Sequence, residues 1–87
     1  MFLHVGSEAM VPLKEIVAII DYRSTQLSPA TREYLEVSRT EKRIIDLSAG
    51  SPKSVVMTTN QVYLSPISSL TLKKRSDSFL YALDDLS

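Results

Sequence analysis

The 87-residue chain has no cysteine, no tryptophan, one histidine and two glycines. Without cysteine there is neither a disulfide framework nor a thiolate metal site. His4 is the only imidazole, so one chain cannot build a multi-histidine zinc cage. Gly6 and Gly50 are too distant in sequence to form a phosphate-cradling loop of the P-loop or dinucleotide type. No apolar run approaches the roughly 20 residues that cross a bilayer. The segment Met1-Phe2-Leu3-His4-Val5 has no basic stretch and no long apolar core. It does not read as a secretory signal, and the expected location is the cytoplasm.

The rest of the composition is that of an ordinary globular chain. It is 44% hydrophobic and 23% charged, which argues against wholesale disorder. The length allows one domain at most. Charge sums to zero but is unevenly spread. Residues 1–38 hold three basic and five acidic side chains, residues 39–75 hold seven basic and two acidic, and residues 76–87 hold three aspartates and no base. The middle segment, with Arg39, Lys42, Arg43, Lys53, Lys73, Lys74 and Arg75, can neutralise phosphates. The simpler reading of such a run is a solvated face.

Short strands around one or two helices are expected. Phe2 to Val5 is a β-prone run closed by Gly6, and Ala9-Met10-Val11 follows it up to Pro12. Residues 16–22 are apolar and β-branched almost without a break, the pattern of a central strand covered on both faces, with Asp21 and Arg23 marking its exit. Ser28-Pro29 reads as an N-cap followed by proline at the first helical position. The helix runs to Arg39, with Thr31, Tyr34, Leu35 and Ser38 on one face. Residues 43–48, 54–59 and 61–65 are strand-like. They are separated by the breakers Ala49-Gly50-Ser51-Pro52 and the reversal Thr59-Asn60-Gln61, so an antiparallel pair and a hairpin are expected over 43–65. A second helix starts at Pro66, with Ile67, Leu70 and Lys74 on a shared face. The domain ends near residue 75. An acidic tail, 76–87, places Phe79, Leu80, Leu83 and Leu86 at helical spacing; it is either a short docking helix or, as segments this short favour, a frayed end.

No catalytic constellation is visible, and the chain reads as a non-enzyme without cofactor, metal or small-molecule substrate. His4 has no nucleophile motif to serve. Glu36 and Arg39 make a helix-surface pair, not an acid–base dyad. Asp46 either faces solvent or binds turn amides near Gly50. An enzyme would need a ligand cleft beside His4 and Glu8.

The stretches Ile44-Ile45-Asp46-Leu47-Ser48-Ala49-Gly50 and Ser54-Val55-Val56-Met57-Thr58-Thr59-Asn60-Gln61-Val62-Tyr63-Leu64-Ser65-Pro66-Ile67 resemble the Rem proteins, small bacterial regulators of extracellular-matrix (biofilm) genes. The opening Phe2-Leu3-His4-Val5-Gly6-Ser7-Glu8, with Val11-Pro12 and residues 14–21, looks closer to the RemB branch than to RemA. The resemblance spans everything but the tail. It implies a small α+β fold, mostly of antiparallel short strands, that assembles into rings. For the RemA branch it also implies DNA binding by arginines on the ring.

Those arginines do not carry over. The family's pair follows the turn glycine, where this chain has Ser51 and Pro52, and a third precedes the first long strand, where this chain has Glu15. Lys14 and Lys53 are the neighbouring cations. They lack the fork with which arginine grips a phosphate or enters a minor groove. The expected DNA contacts are therefore Lys14, Lys42, Arg43 and Lys53, each weak and multiplied by avidity around a homo-oligomeric ring. The alternative is an oligomeric protein-interaction module that has lost DNA binding. Size independently favours assembly, because so small a domain buries only about 60–65% of its unfolded surface. Strand edges at residues 2–5 or 61–65 offer unpaired backbone groups to a second copy, in a head-to-tail ring or equally in a two-fold dimer.

Overall fold

The computed structural model describes residues 1–76. The expected amphipathic tail lies outside these residues, apart from Ser76. The fold is a small α+β domain in three layers. β1 (Phe2–Gly6) and β2 (Ala9–Pro12) form an antiparallel hairpin. A 3-10 turn, Leu13–Glu15, leads into β3 (Ile16–Asp21), α1 (Tyr22–Leu27) and α2 (Pro29–Thr40). β4 (Ile44–Asp46), β5 (Ser54–Thr58) and β6 (Val62–Ser65) follow, and residues 69–76 form a further helix, α3. β3 to β6 make one sheet in the order β3-β5-β6-β4.

Alternation along the strands divides the core between the two faces of this sheet. Val56 meets Leu3, Val5 and Val11 of the hairpin and Leu72 of α3 on one face; Val55, Val62 and Leu64 meet Leu35 of α2 on the other. Ser28 caps α2 as its sequence announces, its hydroxyl accepting from the Thr31 amide at 3.3 Å. Leu35 and Ser38 face inward, on the stripe read from the spacing.

Several expectations are corrected. β4 is not the antiparallel neighbour of β5. It pairs in parallel with β6, which lies between them. The loop from Leu47 to Lys53 is long enough to cross the end of β6: the Leu47 amide donates to the Leu64 carbonyl and the Lys53 amide to the Ser65 carbonyl, both at 2.8 Å. The β5–β6 hairpin forms as expected, its turn held by Thr58 Oγ1, which accepts from the Gln61 amide at 2.9 Å. β6 is therefore interior, and residues 61–65 offer no free edge. The outer strands of this sheet are β3 and β4, and in the separate two-stranded sheet β1 and β2 each have one side without a strand neighbour.

β3 is an edge strand rather than a central one. Its register slips between Ile16 and Ala18, leaving Val17 as the extra residue of a bulge, 68% exposed. A continuous apolar run satisfies the sequence pattern of a central strand whether or not a neighbour within the same chain covers it. The run also ends one residue early, because Asp21 caps α1 through the Arg23 amide at 2.9 Å. α3 starts at 69, not at Pro66: the Ser68 hydroxyl accepts from the Thr71 amide at 3.2 Å. Its buried residue is Leu72, while Leu70 is 64% exposed.

Candidate nucleic-acid interface

The strand registers decide where the four candidate cations stand. Lys14 lies in the turn entering β3, and Lys42 and Arg43 precede β4. Both places are at the end of the sheet that holds the β5–β6 turn, where the Thr59 amide donates to the Glu15 carbonyl at 3.1 Å and the Val62 amide to the Arg43 carbonyl at 2.8 Å. They sit at opposite edges, three strand spacings or about 14 Å apart. Lys53 precedes β5 at the other end, about 17 Å along the strand. The fold thus brings Lys42 and Arg43 together, keeps Lys14 across the sheet from them, and holds Lys53 apart.

Each is positioned by a local device. α2 closes in a Schellman motif: the Lys42 amide donates to the Arg39 carbonyl at 3.0 Å and the Arg43 amide to the Ser38 carbonyl at 2.9 Å. Lys42 takes the left-handed conformation, φ 59°, at the position where glycine is usual, and its side chain is exposed. Arg43 is half-buried and committed. Its Nε lies 2.9 Å from Glu41 Oε2, although the N–H is not aligned on that oxygen. Its Nη2 donates to Ser38 Oγ at 3.3 Å, and the guanidinium stands 5.9 Å from the Tyr34 ring centre. Fewer of its donors remain for a phosphate than an exposed arginine would offer.

At the opposite end, Asp46 organises the loop that carries Lys53. Its carboxylate accepts from the Ser48 amide at 2.8 Å, from the Ser48 hydroxyl, and from the Gly50 amide at 3.3 Å. This is the second of its two expected roles. The Ser48 hydroxyl, the Ser48 amide and the Gly50 amide, with the charge of Arg39, hold the Asp46 carboxyl below its ordinary value. Ala49 and Gly50 both take positive φ, 53° and 86°, so the chain reverses tightly and delivers exposed Ser51 and half-buried Pro52 to the tip. Lys53 is fixed on both sides, its amide on Ser65 and its carbonyl accepting from the Tyr22 amide at 3.0 Å.

That second bond places α1 beside the loop. Asp21, Tyr22, Arg23, Pro52, Lys53, Ser68, Ser69 and Leu70 line a cleft of about 500 Å³. Arg23 was not among the cations singled out from the sequence. It sits in the acidic first third of the chain, and its only signal was its place at the exit of an apolar strand. Arg43 pairs with Glu41, whereas Lys14, Arg23, Lys42 and Lys53 have no carboxylate partner among the described residues.

No cluster of three or more potential metal ligands occurs among the described residues, and no helix among them is long and apolar enough to cross a membrane. His4 is structural in its contacts: Nε2–H donates to the Ser7 carbonyl at 2.6 Å and ties the β1–β2 turn.

The sequence that builds this hairpin and mixed sheet matches a known family over nearly its whole length. Residues 2–75 match the RemA-like family, described as extracellular matrix regulatory protein A-like, and the chain belongs to that family. Within it, the chain is similar to extracellular matrix regulatory protein B of Bacillus subtilis (strain 168). The two are 36% identical over 84 residues, which cover 97% of this chain and 99% of that protein.

Proposed function

We propose that the protein is a cytoplasmic regulator of extracellular-matrix genes that works as a homo-oligomeric ring and grips the DNA backbone through many weak contacts. The observation that carries the regulatory part is the match to a matrix regulatory protein along almost all of both chains. Lys53, Lys42 and Lys14 are exposed and without carboxylate partners among the described residues, and Arg43 adds the donors its internal contacts leave over. One copy presents these charges at two ends of its sheet, too far apart for a single compact patch. A ring repeats each of them at fixed intervals, which turns separate single contacts into avidity. The open β3 and β4 edges support head-to-tail joining. Charges of this kind read phosphate and shape rather than base edges.

Light scattering and gel shifts test this together. A particle several times 9.7 kDa is expected, with a duplex-DNA shift that weakens steeply with salt and is lost in Lys53→Glu. A ring that shifts no DNA at low salt favours instead an interaction module acting through a protein, the reading that Glu15, Ser51 and Pro52 support.

A further inference from the structure

We propose that the cleft between α1 and the 51–53 loop is a phosphoryl-binding site in which Arg23 and Lys53 close on the ligand from opposite walls. It extends the DNA-backbone reading above by assigning a residue outside the earlier set. The two cations come from segments 30 residues apart, yet they line one cavity of about 500 Å³. The Tyr22–Lys53 backbone bond of 3.0 Å fixes the walls to each other. Neither side chain has an ion-pair partner among the described residues. Asp21 also lines the cleft and keeps its negative charge while accepting from the Arg23 amide at 2.9 Å, so two cations against one carboxylate leave the site net positive. Ser69 adds a hydroxyl at the rim, while Ser68 is occupied in capping α3. Leu70 and Pro52 supply apolar wall that displaces water and strengthens the charge–charge attraction.

The donor set fits phosphoryl better than carboxylate. A guanidinium fork and a point-like ammonium approach from different directions, and a phosphoryl group has oxygens facing both. The same chemistry is found in a DNA backbone and in free phosphate, so both are used as probes. Phosphorus NMR follows inorganic phosphate titrated with the full chain, at an ionic strength matched with chloride. Gel shifts follow a random-sequence duplex. Wild type, Arg23→Gln, Arg23→Lys and Arg32→Gln are compared, with circular dichroism to confirm folding.

Saturable broadening of the phosphate signal is expected with wild type and Arg32→Gln, an exposed α2 cation outside both the cleft and the proposed DNA contacts. Arg23→Gln should weaken it about tenfold, the effect of one lost charge-assisted hydrogen bond, and Arg23→Lys should restore part of it. Phosphate binding that depends on Arg23, without any DNA shift, upholds the cleft and removes the DNA reading. A DNA shift indifferent to Arg23→Gln keeps the DNA reading and overturns the cleft. No saturable effect of either probe on wild type overturns both.

Discussion

At the scale of single residues, the junctions of this fold depend on small polar groups. Ser65 is fully buried, and its hydroxyl donates to the Val5 carbonyl and accepts from the Ile67 amide at 3.0 Å. One oxygen thereby fastens the β1–β2 hairpin, β6 and the chain entering α3. Its cross-strand neighbour Ser54, equally buried, donates to the Ile67 carbonyl at 2.7 Å. Replacing Ser65 with alanine removes the partner of a buried carbonyl and of a half-buried amide. Each such loss is worth about 1–3 kcal/mol, so Ser65→Ala should lower the urea-unfolding free energy by about 2–4 kcal/mol. A loss under about 0.5 kcal/mol would mean that water or a rearrangement satisfies both groups. Gly6 belongs to the same junction. With φ 131°, a Cβ there would stand 2.7 Å from Pro66 Cδ, so the hairpin sits against the Pro66 ring only because this residue has no side chain.

At the scale of elements, the 46–53 turn shows how a charge sets a loop's shape. The Ser48 hydrogen bonds, chiefly, hold the Asp46 carboxyl below its ordinary value, so the folded state binds its proton less readily than the unfolded chain does. The stability this adds is therefore full above the unfolded value of about 4 and is lost as pH falls through the lower folded value. Urea midpoints for wild type and Asp46→Asn should differ at neutral pH and converge in strong acid; a gap that persists in acid would show that Asn fails for steric reasons instead. The role of this turn was legible in advance, because aspartate, serine and glycine at short spacing allow few backbone arrangements. So was α2, announced by Ser28-Pro29, and so were all six strands in place, with β4 about half its expected length. Pairing was not legible. Nothing local in Ile44-Ile45-Asp46 distinguishes a parallel neighbour from an antiparallel one, because that choice depends on where a seven-residue loop lands. α1 was missed because six residues are too few to show a helical period, and Leu72 lost its place to Leu70 when the start of α3 was set at Pro66 rather than after the Ser68 cap. Arg23 escaped notice for a related reason: only the fold, by turning Tyr22 onto Lys53, brings the two cations to one cleft.

At the scale of the whole molecule, the sheet is finished inside and open at its sides. Val17, 68% exposed, lies beside an apolar groove lined by Ile20, Ala30, Tyr34 and Met57. If copies join head to tail through the β3 and β4 edges, as the proposed ring has it, a charge at the bulge should separate them without unfolding any. Val17→Lys is expected to bring the light-scattering mass toward 9.7 kDa with an unchanged circular dichroism spectrum. An undiminished particle would place the contact away from the β3 edge.

The bulge at Val17 also bears on how far association can run. A flat, regular strand margin accepts another strand, and then another, which is how fibrous deposits grow. Here the kink breaks the comb of amides after Ile16 and leaves only Ala18 to Asp21 in even register, four residues of template. So short a margin dictates the angle at which a neighbour arrives but offers too little length for indefinite stacking.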